Sequence, residues 1–241
     1  MGKRVLLCLF TVFLMAASGL AVTVNLVVSA DADIREAVPD LAYGIRTDLY
    51  ASTAAANSMK TYLRFELPAD FGTATSATLS IVRTRVASAT VNLYYNLYGL
   101  NDGAAGQDWG ETTAYITAPA DVQTGLTWNN APANSTTNTF NSNATSLVTS
   151  VQLPSGNNGG VVGSTHNFSN QALVDFLNID TDGLVTLMIS RTNTTSAYDS
   201  FASDEHATYA PPTLTLTYEP VPEPMTLALM GLGGLLIRKR K

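Results

Sequence analysis

The chain has 241 residues, a net charge of −6 and one cysteine, Cys8, close to its N-terminus. Six of the 13 basic residues lie at the two ends, so the interior holds seven basic and 19 acidic residues, a net charge of −12. Such a charge repels phosphate groups, which excludes nucleic acid as a partner. The interior has no cysteine and therefore no disulfide, so its stability must come from a buried apolar core.

The first 21 residues have the pattern of a secretory signal peptide. Lys3 and Arg4 precede an apolar run over 5–17, and Gly19 and Ala21 place small side chains where a signal peptidase cuts. The alternative is a retained membrane anchor, although the run is shorter than the roughly 20 apolar residues that cross a bilayer. The pattern predicts export from the cytoplasm after cleavage behind Ala21.

The C-terminal end, residues 220–241, combines three features in a fixed order. A proline-rich motif that resists helix formation comes first, an apolar run over 225–237 follows, and the basic tail 238–241 closes the chain. The motif consists of Val221, Pro222, Glu223 and Pro224. This order resembles the PEP-CTERM sorting signal, which implies processing by an exosortase in a Gram-negative bacterium that secretes exopolysaccharide. Contact with the membrane is expected only through this segment, before processing. An incidental hydrophobic tail is the alternative.

The body between these ends, residues 22–219, is predicted to be one all-β domain. Strand-length stretches rich in Val, Leu and Thr alternate with clusters of Gly, Pro, Asn and Asp, a pattern typical of an antiparallel β-sandwich. One short helix is predicted over 169–177 from helical spacing, and the polar stretches 134–143 and 155–165 are predicted to be flexible loops. The candidate strands are 22–29, 45–50, 60–67, 77–85, 90–100, 146–153, 184–191, 198–203 and 212–218.

Two-residue alternation assigns the faces of two candidate strands. In the 60–67 strand the odd-numbered apolar residues are predicted to face the core. Its outward side chains are then Lys60, Tyr62, Arg64 and Glu66. In the 90–100 strand the outward side chains are predicted to be Asn92, Tyr94, Asn96 and Tyr98.

The alternating tyrosines and amides of the 90–100 strand indicate a glycan-binding face. A tyrosine ring stacks on the C–H side of a sugar while an amide hydrogen-bonds the hydroxyls. The alternative is that these side chains only cover the second face of a sheet. Trp109 and Trp128 are likewise either exposed beside polar residues in a sugar site or plugs at an end of the sandwich. The candidate ligand-binding residues are Tyr62, Arg64, Asn92, Tyr94, Asn96, Tyr98, Trp109 and Trp128.

A structural calcium ion is a further hypothesis. Acidic residues near the start and the end of the body would meet if the first and last strands pair, and Ca²⁺ prefers oxygen ligands of this kind. The alternative is a solvated acidic edge. The candidate ligands are Asp31, Asp33, Asp204 and Glu205.

The sequence shows no catalytic motif. His166 and His206 are far apart and lack the spacing of a zinc site or a catalytic triad. Paired carboxylates of a glycoside hydrolase or lyase would have to come from Glu66, Glu111 and Glu205, and nothing in their spacing brings them together. We therefore expect a protein that is not an enzyme.

Short motifs follow one another along the body. Two contain a tryptophan, at 108–111 (DWGE) and 126–132 (LTWNNAP), and the others are 32–37, 43–44, 62–67, 77–79 and 203–205. Together they resemble the DNRLRE-type domain, a β-sandwich related to carbohydrate-binding modules and found in disaggregatase-related and alginate-binding proteins. The segment 104–123 is longer than the corresponding link in that family. The resemblance implies a jelly-roll type of sandwich that attaches to glycans or surfaces.

These observations predict an exported, non-catalytic module at the cell surface or in the extracellular matrix that binds polysaccharide. The acidic body favours a neutral glycan over a polyanion. The first alternative is a purely structural matrix or adhesion protein without a small ligand, and the second is a polysaccharide hydrolase or lyase. A local basic patch would consist of Lys60, Arg64, Arg83 and Arg85.

Overall fold

The computed structural model describes residues 20–112, 125–195 and 197–221. The predicted signal peptide up to residue 19 and the predicted sorting signal from residue 222 onward lie outside these residues. Within the described part of the chain, no helix has the length and apolar character needed to span a membrane.

The all-β fold with one short helix is confirmed. The helix, α1, is Gln171–Asn178, and the side chain of its N-cap Asn170 accepts a hydrogen bond from Leu173 N at 2.9 Å. The strands of the described residues are β1 (Val22–Val27), β2 (Ala30–Arg35), β3 (Asp48–Ala54), β4 (Asn57–Glu66), β5 (Thr73–Arg85), β6 (Leu93–Leu100), β7 (Ala144–Leu153), β8 (Thr165–Phe168), β9 (Leu184–Arg191), β10 (Asp199–Ala202) and β11 (Thr213–Glu219).

All strand pairings are antiparallel and form one curled sheet, consistent with a β-sandwich. Its strand order is β1-β11-β5-β10-β3-β4-β9-β6-β7, with β2 added beside β4 and β8 beside β5. The first and last strands pair along the whole length of β1, from Val22 opposite Tyr218 to Val27 opposite Thr213. The curl lets both ends of the strand order contribute to one main core, in which Leu79 and Leu214 join Leu63 and the helix residue Phe176.

The sequence patterns missed two strands, β2 and β8. β2 reads as a polar segment because Asp31 and Asp33 occupy two of its six positions, yet both carboxylates are buried. β8 has one apolar residue, Phe168, begins at the last residue of the predicted 155–165 loop and pairs with the middle of β5. In both strands the stabilising partners are distant in sequence, so local alternation carries no signal.

A second apolar cluster lies on the other face of β4 and β9, beneath several loops. We call residues 125–143, which form part of these loops, the covering segment. Along β4 the side chains alternate between the clusters, with Leu63 in the main core and Tyr62 in the second. The predicted outward position of Lys60 and Tyr62 is therefore wrong, because the covering segment buries this face. The second cluster consists of Ala30, Ala32, Ile34, Tyr62, Leu100, Trp109, Leu126, Trp128, Ala131, Ala133 and Met188.

Candidate functional site

Three of the predicted ligand-binding residues belong to the second apolar cluster. Tyr62 is fully buried and its hydroxyl donates to Pro132 O at 2.9 Å. Trp109 is 6% exposed and its indole N–H donates to Thr186 Oγ1 at 3.0 Å, and Trp128 is 8% exposed. These positions favour the interpretation of both tryptophans as plugs that hold the loops on the sheet.

Arg64 is half-buried and fastens a loop to β4. Its guanidinium donates to Trp109 O and to Ser29 Oγ, and it lies 5.6 Å from the Trp109 ring centroid. The predicted basic patch does not form as a surface, because Lys60 and Arg83 are both buried. Of that set, Arg85 is exposed at the end of β5.

The predicted alternation of β6 agrees with the structure. Tyr94, Asn96 and Tyr98 are half-buried on one face, and the residues between them lie in the main core. Asn96 donates from Nδ2 to Tyr98 Oη at 3.2 Å and accepts from Ser150 N at 2.8 Å. We call these three side chains the β6 face.

Two residues next to the β6 face, Ser190 and Asn92, have polar side chains that do not extend into solvent with it. Ser190 lies opposite Asn96 in register, and its buried hydroxyl has no hydrogen-bond partner among the described residues. Asn92, just before β6, turns away from the face and accepts from Ser155 N at 2.9 Å and from Asn158 Nδ2 at 2.9 Å. The β6 face therefore presents the half-buried side chains of Tyr94, Asn96 and Tyr98, the last with its ring packed edge-on against Phe140 at 5.0 Å, while Asn92 anchors a loop.

A second aromatic surface was not predicted. Three guanidinium groups lie 4.2 to 5.4 Å from tyrosine ring centroids, and two of the tyrosines meet edge-on at 5.5 Å. The residues of this surface come from four separate parts of the chain. The alternation of Tyr and Arg between positions 43 and 50 is the sequence signal that could have predicted the surface. This arginine–tyrosine stack consists of Arg35, Tyr43, Arg46, Tyr50, Arg85 and Tyr198.

An acidic cluster forms where β2, the loop end at residue 111 and the turn after β10 meet. Carboxylate oxygens of Asp31, Glu111, Asp204 and Glu205 all lie within 4.8 Å of one another. Three of these four residues were predicted as calcium ligands from the sequence. The predicted set also included Asp33, which instead forms an ion pair with Arg35 at 2.5 Å. Glu111, which was predicted only as a candidate catalytic carboxylate, completes the cluster.

Burial and mutual repulsion hinder full ionisation of the acidic cluster. Burial and the charge of Asp204 raise the pKa of Asp31 to about 9. Burial and a hydrogen bond to Glu205 raise the pKa of Glu111 to about 9, and burial raises the pKa of Asp204 to about 6. For Glu205, burial is outweighed by hydrogen bonds from Glu111 and Asp204, which lower its pKa. The four carboxyl groups thus share protons when no positive charge lies among them.

A second acidic group brings Asp102, in the loop after β6, next to Asp180 and Asp182 in the turn before β9. Asp102 Oδ2 accepts from Thr181 N at 2.8 Å, and Asp180 Oδ2 accepts from Gly183 N at 2.8 Å. These carboxylates therefore act as turn-forming acceptors.

The curled antiparallel sheet described above is consistent with a β-sandwich. Residues 22–151, from β1 into β7 and including both tryptophan motifs, match the family model of carbohydrate-binding module family 96. Because the match covers more than half of the chain, the chain belongs to this family. No curated protein matches the sequence.

Proposed function

We propose that the protein is an exported, non-catalytic module that binds polysaccharide at a cell surface or in an extracellular matrix. Membership of a carbohydrate-binding module family is the observation that carries this proposal. The purely structural alternative lacks a comparable observation.

The β6 face is the proposed glycan-binding surface. Tyr94 and Tyr98 are four residues apart, so their Cα atoms lie roughly 13 Å apart along the strand, a spacing that suits an oligosaccharide segment better than a single sugar. The half-buried amide of Asn96 between them supplies hydrogen bonds to sugar hydroxyls. None of these groups carries a charge, and the body is strongly acidic, so a neutral glycan is the proposed ligand class.

The positions of the carboxylates support a non-catalytic role. Glycoside hydrolases hold two carboxyl groups about 5–5.5 Å or about 6.5–9.5 Å apart on either side of the sugar bond. Carboxylate oxygens of Glu111 and Glu205 instead lie within 4.8 Å of each other in the acidic cluster, closer than either of these separations. Glu66 lines a different depression, beside Asp180 and Leu184.

Replacement of Tyr94 by Ala is expected to weaken retention on a neutral polysaccharide by about 3- to 10-fold, because one stacking ring is lost. Affinity gel electrophoresis on matched neutral and acidic polysaccharides measures this, with the unfolding midpoint as a check on the fold. Tyr198→Ala, in the arginine–tyrosine stack, is the matched control and should bind as the native protein does.

Other outcomes of the same gels contradict specific parts of the proposal. The native protein could be retained on acidic polysaccharides alone, which would refute the preference for a neutral glycan. If that retention were lost in Tyr198→Ala and kept in Tyr94→Ala, the binding surface would be the arginine–tyrosine stack. Retention by none of the polysaccharides would favour the structural role.

Export and sorting are proposed from the two ends of the chain. The signal-peptide pattern and the order of proline-rich motif, apolar run and basic tail support delivery to an exosortase. Replacement of Pro222, Glu223 and Pro224 by Ala is expected to leave a membrane-bound product that retains its basic tail. Fractionation and mass spectrometry of the product in an exosortase-containing host test this, and an unchanged, shortened product would disprove the role of the motif.

A further inference from the structure

The acidic cluster joins three segments that are distant in sequence. Asp31 lies in β2, Glu111 ends the loop that carries Trp109, and Asp204 and Glu205 form the turn between β10 and β11. Four carboxylates with oxygens within 4.8 Å of one another repel strongly when ionised. Repulsion of this kind is costly at a junction of three segments unless a positive charge offsets it.

Asp31 provides an independent sign that a ligand is involved. The residue is 0% exposed, and its Oδ2 accepts a hydrogen bond from Asp204 N at 2.9 Å. Its Oδ1 is buried, points into the cluster and has no hydrogen-bond partner within the described ranges. Glu111 shows the same feature, since its Oε1 is also buried without a partner in the described part of the chain, while Oε2 receives Asp31 N at 3.4 Å. Buried oxygens of this kind are costly unless something binds them.

Nearby contacts hold the carboxylates in place. The side chain of Ser203 accepts from Glu205 N at 3.2 Å, and Ser203 N donates to Thr47 O at 3.2 Å, which fixes the turn on the start of β3. A Cβ at Gly44 would lie 2.7 Å from Glu111 Cγ, so only glycine lets the Glu111 side chain lie where it does. The cluster is therefore a positioned set of oxygens.

We propose that Asp31, Glu111, Asp204 and Glu205 form a binding site for a divalent cation, with Ca²⁺ as the preferred ion. The site offers only carboxylate oxygens and no nitrogen or sulfur ligand, which favours a hard cation. The ion binds the two orphaned oxygens and neutralises the repulsion. It thereby fastens the Trp109 loop and the turn before β11 to β2. This proposal is independent of the proposed function, because it requires no glycan.

Calcium titration of chelator-treated protein tests the site directly. Isothermal titration calorimetry should show one Ca²⁺ per chain, and the thermal unfolding midpoint should rise with Ca²⁺ concentration. Glu111→Gln should weaken Ca²⁺ binding at least about tenfold. The exposed Asp108→Asn, on the same loop and outside the cluster, is the matched control and should bind as the native protein does.

The two variants also separate a cation site from a merely acidic cluster. Without the ion, Glu111→Gln should unfold no earlier than the native protein, because it removes a carboxyl group from a crowded acidic cluster. With saturating Ca²⁺ this order should reverse. Absence of heat and of any midpoint shift with Ca²⁺, Mg²⁺ or Mn²⁺ would overturn the proposal, as would equal Ca²⁺ affinities of Glu111→Gln and Asp108→Asn. Loss of glycan retention alone would contradict the proposed function but not the cation site.

Discussion

Replacement of Arg83 by Met is expected to lower the free energy of unfolding by about 3–5 kcal/mol, the typical cost of removing one partner of a buried ion pair. Arg83 Nη2 lies 2.5 Å from Asp199 Oδ2, and both side chains are fully buried. The guanidinium also donates to Arg85 O at 3.1 Å and to Pro154 O at 2.6 Å. The variant would leave the Asp199 carboxylate uncompensated in the interior and free a loop carbonyl. Urea denaturation measures the loss.

Two further variants define the cause of that loss. Arg85→Met removes an exposed guanidinium two residues along the same strand and should cost less than about 1 kcal/mol. The double variant Arg83→Met/Asp199→Leu removes both charges and should recover part of the stability, because an apolar pair of similar volume replaces the buried ion pair. Equal costs for Arg83→Met and Arg85→Met would show that the ion pair contributes little.

Replacement of Lys60 by Met is expected to lower the free energy of unfolding by about 2–3 kcal/mol at neutral pH, because buried acceptors lose their donor. Lys60 Nζ donates to Asn134 Oδ1 at 2.7 Å, to Ser135 O at 3.0 Å and to Thr139 O at 2.7 Å, all in the covering segment. It also lies 4.8 Å from the ring centroid of Trp128. The variant should make the covering segment exchange its amide hydrogens faster, as hydrogen exchange can show.

The cost of Lys60→Met should also depend on pH. Burial lowers the pKa of Lys60 from 10.5 to about 7. Between these values the folded chain binds fewer protons than the unfolded chain, so the contribution of Lys60 to stability rises with pH, by at most about 1.4 kcal/mol per pH unit. The difference in unfolding free energy between the native protein and Lys60→Met should therefore be larger at pH 9 than at pH 6. A flat difference across this range would contradict the lowered pKa.

Local sequence patterns predicted one side of the fold well and the other side poorly. The apolar positions of β4 and β6 that face the main core, such as Leu63 and Leu97, follow from two-residue alternation. The other face of β4 was wrongly predicted to be outward, because its cover comes from residues about 70 to 80 positions later in the chain. The residues next to Lys60 and Tyr62 in the sequence give no indication that a distant segment covers these two side chains.

The candidate sites also contain some residues that the sequence predicted and others that depend on distant contacts. Pairing of the first and last strands was enough to predict that Asp31, Asp204 and Glu205 meet. Asp33 was a wrong member, since Arg35, two residues along the strand, binds its carboxylate. Glu111 could not be placed in the cluster, because its position depends on how the loop after β6 packs against Gly44. The β6 face was predicted from alternation, and its role in binding is still a prediction.

The pairing of β11 with β1 on one side and β5 on the other has a mechanical consequence. Glu219, the last residue of β11, lies where a load on the C-terminal tail would enter the domain; β5 pairs with β11 from Thr213 to Glu219, and β1 pairs with it as far as Tyr218. Tension along that strand acts across two rows of backbone hydrogen bonds at once, in shear, so the bonds share the load and do not open one after another. A module that grips a glycan while its tail is tethered would resist pulling best in this direction.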